Sequence, residues 1–190
     1  MLFDCDGTLI ASGPLYVRAW VAGFQAQGCD MVPQWYHERS GLSEDVLIDT
    51  FEQETGAQFD RNQVITVTRR TYLDELSTLS EIGAVSAIAR TYHGLKPMAV
   101  VSGGPRALVL ASLNALGLAY LFDAVVTIDD IPKPKPAPDL FLEAARLLGV
   151  QPHNCVVFED SPQGLAAAKS AKAFVVDVKT HLAVAHEFRT

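Results

Sequence analysis

Phe3-Asp4-Cys5-Asp6-Gly7-Thr8-Leu9 opens the chain with two acids two residues apart, set where the apolar run Met1-Leu2-Phe3 meets a glycine. If that run is a buried strand, its C-terminal end is where side chains leave the sheet for the crevice that ligands use in open α/β folds. Both carboxylates then face one small site. Two like charges held together are unfavourable unless a cation or a shared proton compensates. The pair therefore points to a metal site, or to a split between a nucleophile and an acid/base. The competing reading is an ordinary turn after a strand, because Asp and Gly are common turn residues.

Outward from this stretch, residues 14–77 read as helical with no convincing strand among them. A helix over 14–27 follows Ser12-Gly13-Pro14 and carries Leu15, Ala19, Trp20, Val21, Ala22 and Phe24 at helical spacing, until Gly28 ends it. A short segment over 33–36, a loop over 40–43, a helix over 44–55 and a third helix over 61–77 complete the insertion. From Val85 the pattern changes. Helices over 81–92, 105–116, 138–148 and 162–170 alternate with short β-rich runs over 98–101, 124–127, 155–158 and 174–178. With residues 1–3 this makes five strands, and the alternation is the mark of a parallel sheet with crossover helices. The expected fold is α/β, with a doubly wound, Rossmann-like parallel sheet as the catalytic core (1–12 and 79–190) and an inserted helical cap (13–78). Only three residues precede Asp4, so the start is expected to be truncated within the first strand.

A chain of 190 residues with 49% hydrophobic and 19% charged residues has the profile of an ordinary globular protein. Its net charge of −7 argues against general affinity for nucleic acid or an anionic membrane surface. No apolar run approaches the roughly 18 residues that span a bilayer, and the N-terminus lacks the regions of a secretory signal. A cytoplasmic monomer acting on a small molecule, with neither nucleic-acid nor membrane partners, is expected. Cys5, Cys29 and Cys155 lack CxxC spacing and read as buried free thiols. His37, His93, His153, His181 and His186 lack metal-ligand spacing and read as surface or core residues. Arg18, Arg69 and Arg70 read as solvated or ion-paired faces of cap helices, and Trp20 and Trp35 as packing residues.

Four strand ends carry polar groups: Asp4 and Asp6, then Ser102, then Lys135 in the loop after Thr127, and finally Glu159 with Asp160. Strand C-termini in such a sheet line one edge, so these residues can converge. Three carboxylates from two strand ends suit a hard divalent cation, with Mg2+ favoured because it takes a few carboxylates, waters and a substrate phosphate. Lys135 would balance the remaining negative charge. A carboxylate aimed at phosphorus can attack it to give an aspartyl-phosphate. Asp6 would then protonate the leaving oxygen and later activate water. Ser102, with main-chain N–H groups of Gly103 and Gly104, would hold the non-bridging oxygens.

Together, Asp4-Cys5-Asp6-Gly7-Thr8-Leu9, Val101-Ser102-Gly103, Lys135-Pro136-Ala137-Pro138-Asp139 and Phe158-Glu159-Asp160-Ser161 resemble the four motifs of the haloacid dehalogenase-like hydrolase superfamily. Their order and spacing agree across nearly the whole chain. The helical insertion after the first motif resembles the small cap of the β-phosphoglucomutase branch. Within that branch the stretches 93–100, 122–126 and 155–160 are similar to bacterial fructose-1-phosphate phosphatase-like members. The resemblance implies a phosphoric monoester hydrolase with Asp4 as nucleophile, Asp6 as acid/base, and Ser102 and Lys135 as phosphate holders. It implies Asp160 as a Mg2+ ligand beside Asp4 and the Asp6 main chain, with Glu159 as a further ligand and Thr8 orienting the first motif. Lys133 is the rival for the lysine role. Dehalogenation is disfavoured by the acid at Asp6.

Departures from the branch concern the substrate. Ala11-Ser12-Gly13 stands where an acidic pattern is usual. Tyr16 and Glu44 stand where its phosphohexose mutases have His and Arg, which favours hydrolysis over mutase action. The loop from Ser40 to Glu44 is the candidate for substrate selection, since cap loops that close over a site exclude water; a plain interhelical turn is the alternative. A phosphosugar mutase and a catalytically idle binding or regulatory protein are the alternative functions.

Overall fold

The structure, a computed structural model, describes residues 1–181. His186 lies outside the described residues. Two compact units are present: Met1–Ala11 with the chain from Ser80 onward, and Ser12–Leu79.

The first unit holds a five-stranded parallel sheet of β1 (Leu2–Phe3), β2 (Ala99–Val101), β3 (Ala124–Val126), β4 (Val156–Glu159) and β5 (Phe174–Asp177), in the order β3-β2-β1-β4-β5. The chain steps outward from β1 to β3 and then returns to the other side of β1, so the strand order reverses beside β1. That is where an open α/β sheet leaves a crevice. The expected doubly wound core is therefore the fold observed. Near-continuous apolar strands suit burial on both faces. Leu2, Ala99, Val101, Val126 and Val157 share one buried cluster with Leu140, Phe141 and Ala144. Phe3 stacks on Phe158 at 4.8 Å between ring centroids.

Helices in this unit are α5 (Gly83–Tyr92), α6 (Arg106–Ala115), α7 (Asp139–Leu147) and α8 (Pro162–Ser170), numbered in chain order after the four helices of the second unit. Helix α5 starts two residues later than the periodicity predicts. Glu81 is held in a bridge with Ile10, and the Ile82 amide donates to the Leu9 carbonyl at 2.8 Å, which keeps this segment extended.

The second unit contains α1 (Gly13–Gln25), α2 (Pro33–His37), α3 (Glu44–Thr55) and α4 (Arg61–Asp74). Its core gathers Trp20, Phe24, Tyr36, Leu47, Ile48, Phe51 and Val64, with the Phe24 and Phe51 rings 4.2 Å apart. Helix α4 ends before residue 77. The chain tightens into a 3-10 turn over Leu76–Thr78, where Thr78 Oγ1 donates to the Glu75 carbonyl at 2.9 Å and Arg18 binds the Glu75 and Thr78 side chains at 2.6 and 2.8 Å.

Gly23 is where α1 meets α4. A Cβ there would lie 3.0 Å from the Val64 carbonyl oxygen and collide with Thr68 Oγ1, a buried hydroxyl. Gly23→Ala is expected to lower stability by about 1–3 kcal/mol through overpacking, although alanine is the better helix former by about 1 kcal/mol. A urea unfolding midpoint at or above the wild-type value would contradict this.

Arg18 and Arg69 are ion-paired, Arg69 to Glu44 through two contacts at 3.0 and 2.5 Å, and Arg70 is exposed. His37, His93, His153 and His181 are exposed. Trp20 is buried, while Trp35 is half-buried against Phe51. Cys5 and Cys155 are buried, but Cys29 is only half-buried, because it follows Gly28 just beyond the end of α1. No described helix is long and apolar enough to cross a membrane.

Candidate active site

The register of the sheet sets the geometry of the site. Leu2 is level with Ala99 and Val157, and Phe3 with Val100 and Phe158. The Asp4 amide then donates to the Phe158 carbonyl at 2.9 Å, so the ladder delivers Asp4 beside Glu159 at the C-terminal edge. Here the chain turns sharply. The amides of Leu9 and Ile10 both donate to the Cys5 carbonyl at 3.0 Å, and Gly7 adopts φ +86°. Glycine is required there twice over, since a Cβ would also lie 2.5 Å from Asp160 Oδ2.

Lys135 reaches into this edge from the loop after β3. Its Nζ donates to Asp4 Oδ1 at 2.6 Å, Glu159 Oε2 at 2.7 Å and the Val101 carbonyl at 3.2 Å, and its side chain is 6% exposed. Lys133 instead pairs with Asp139 at 2.8 Å and is largely exposed. Ser102 Oγ lies 3.5 Å from Asp6 Oδ2 and accepts the Gly104 amide at 3.0 Å. The Gly104 N–H is thus engaged in closing the turn that contains Gly103. Thr8 Oγ1 donates to Asp160 Oδ1 at 3.2 Å.

Asp4, Glu159 and Asp160 each offer an oxygen within 4.8 Å of the others, an arrangement able to hold a metal ion. Glu159 is heavily engaged, with four hydrogen bonds shared between its two oxygens. Oε2 takes Lys135, and Oε1 accepts the amides of Asp160 and Ser161 and the Ser161 hydroxyl at 2.9–3.0 Å. Gly164 makes room for this carboxylate, since a Cβ there would overlap it.

Burial and the neighbouring Glu159 push the Asp4 carboxyl well above its ordinary range against the pull of Lys135, with Asp160 adding to the rise. Burial works to lower the Lys135 ammonium, but Asp4 and Glu159 outweigh it and hold its pKa above the usual lysine value. Burial, with Asp6 and Asp4 alongside, also pushes the Cys5 thiol well up, so it stays protonated and is no nucleophile.

Some residues of the site escape the strand-end reading of the sequence. Ser161 holds Glu159 and also caps α8 by accepting the Gly164 amide at 3.0 Å. Asp130 accepts the Thr127 amide and hydroxyl at 2.8 and 2.9 Å and pairs with Arg106, which shapes the loop leading to Lys135. Lys179, in the helical turn over residues 178–181 after β5, pairs with Asp160 Oδ2 at 3.0 Å. The fifth strand end was the signal for Lys179, because the rule that found the other four applies to it equally.

Residues 1–172 match the family model described as haloacid dehalogenase-like hydrolase. The chain is 33% identical to fructose-1-phosphate phosphatase of Escherichia coli over 94% of its own length and 95% of that protein. It is likewise 33% identical to 6-phosphogluconate phosphatase of the same organism, over 86% of this chain and 75% of the relative. A hydrolase from Pseudomonas syringae superposes with a TM-score of 0.81 at 27% identity, covering 93% of this chain and 82% of that one. With the parallel sheet and the acidic edge described above, these likenesses show that the chain belongs to the haloacid dehalogenase-like hydrolases.

Proposed function

We propose that this protein is a Mg2+-dependent phosphatase that hydrolyses a small phosphorylated metabolite, in the first instance a sugar phosphate, through an aspartyl-phosphate formed on Asp4. One observation carries the reading: the buried Lys135 ammonium joins Asp4 to Glu159 at 2.6 and 2.7 Å, placing a fixed positive charge against a buried carboxylate at the mouth of the sheet. The relatives named for fructose 1-phosphate and 6-phosphogluconate support the sugar-phosphate class.

The donor set fits a hard divalent cation, since Asp4, Glu159 and Asp160 each offer an oxygen within 4.8 Å of the others, and the buried Lys135 ammonium pairs with only two of them. Asp4 and Asp160 would hold Mg2+ through carboxylate oxygens and Asp6 through its main chain. Glu159 acts mainly by holding Lys135 and the loop after β4. The cation supplies charge neutralisation that lets a phosphate dianion approach Asp4.

The chain's own residues carry the steps. An Asp4 carboxylate oxygen forms the bond to phosphorus as the bond to the leaving oxygen breaks, and the Asp6 carboxyl gives that oxygen a proton. Asp6 then takes a proton from the water that attacks the phosphorus, and Asp4 and inorganic phosphate separate. Ser102 Oγ donates to the non-bridging oxygens with the main chain of its turn, while Lys135 stabilises the charge that develops on them.

The test is a phosphate-release screen over a panel of phosphometabolites with Mg2+, using Asp4→Asn as the blank. Sugar phosphates are expected to be turned over, and a chelator is expected to cut the rate at least about a hundredfold. Turnover that survives both the substitution and the chelator overturns the reading. Isomerised hexose phosphate with little free phosphate would establish a mutase instead.

A further inference from the structure

Lys179 has no part in the chemistry above, yet its ammonium sits 3.0 Å from Asp160 Oδ2. The two ammonium groups of this edge differ in kind. Lys135 is 6% exposed and shared between two carboxylates, so it is a fixed part of the buried framework. Lys179 is 64% exposed and approaches Asp160, itself 11% exposed, from the solvent side. Exposed ion pairs are worth little against water, so nothing in this geometry fixes Lys179 in place. Asp160, in contrast, is largely buried, with Thr8 Oγ1 donating to Oδ1 at 3.2 Å and the Gly7 main chain close against the carboxylate. The ammonium can leave the carboxylate it faces.

We propose that Lys179 is a displaceable counter-cation of the metal site, which holds Asp160 Oδ2 when the divalent cation is absent, yields that oxygen when it binds, and so sets the metal affinity below what the carboxylates alone would give. The inference rests on the metal reading of the same site. Its physical basis is charge. Asp4, Asp6, Glu159 and Asp160 gather at one edge, and each positive group there makes the potential that a cation meets less negative. Removing Lys179 leaves the site more negative and frees an Asp160 oxygen; both effects tighten binding. Because Lys179 is exposed, its influence is screened by salt.

The experiment is calorimetric titration of substrate-free protein with Mg2+ and with Mn2+ at low and high ionic strength, comparing wild type with Lys179→Met and Lys179→Arg. Lys179→Met is expected to lower Kd about three- to tenfold at low salt, a difference that shrinks in high salt, while Lys179→Arg stays near wild type. Thermal melting without metal checks that each variant folds. Unchanged or weakened binding by a folded Lys179→Met protein overturns the inference and leaves the metal site standing. A wild-type protein that binds neither ion overturns both.

Discussion

Asp4→Asn is expected to abolish turnover, with a loss of at least about a thousandfold, while making the metal-free protein more stable. The first effect follows if Asp4 forms the bond to phosphorus, because a neutral amide has no oxygen able to do so. The second follows from the environment. Burial and Glu159 push the Asp4 carboxyl well up, so the folded chain holds its proton more tightly than the unfolded chain does. Linkage gives the sign: wherever the native state binds more protons, stability falls as pH rises. The metal-free wild type therefore loses stability as pH climbs from the ordinary value of 3.8 through the raised value of the folded state. Asn cannot ionise and escapes that loss, and Lys135 keeps Glu159 as a partner at 2.7 Å. Urea unfolding in metal-free buffer should show the variant's advantage growing from acid to neutral pH. An advantage that grows toward acid would contradict the account. Mg2+ should stabilise the wild type more than the variant, since a ligand that binds only the folded state adds stability according to its affinity.

Lys135→Met is expected to act in the opposite direction on stability. Removing the ammonium leaves Asp4 and Glu159, 8% and 1% exposed at their side chains, facing each other without compensation. Breaking a buried pair from one side costs about 3–5 kcal/mol, more than forming it contributes, because the stranded charge stays desolvated. Turnover should fall at least about a hundredfold, as expected when a donor aimed at developing charge is lost. Lys133→Met is the control. Lys133 makes a largely exposed pair with Asp139, worth about 0–1 kcal/mol, and its loss should leave both stability and rate near wild type. If Lys133→Met proved the damaging substitution, the assignment of the lysine would be reversed.

These two variants also separate what can be read along the chain from what cannot. The position of Asp4 follows from neighbouring residues: an apolar run of strand character, an acid where it ends, and a glycine immediately after the second acid. Helix and strand types follow likewise, from periodicity and from Gly and Pro. Boundaries shifted where a distant partner intervened, as at Glu81, held extended by Ile10, and near Thr78, where Arg18 binds the turn.

Side-chain partnerships obey no such local rule. Lys135 and Asp4 are 131 residues apart and meet only because β1 lies between β2 and β4 in the sheet. The sequence by itself determined that acids, a serine and a lysine stand at strand ends, since strand ends are dictated by local apolar patterning. Only the tertiary structure decided that Lys135 rather than Lys133 faces Asp4, that Glu159 has both oxygens engaged, and that a fifth strand end brings Lys179 to Asp160. Those outcomes depend on strand order and register: a one-residue change of register would turn Glu159 to the other face and shift the points from which the loops to Lys135 and Lys179 leave the sheet.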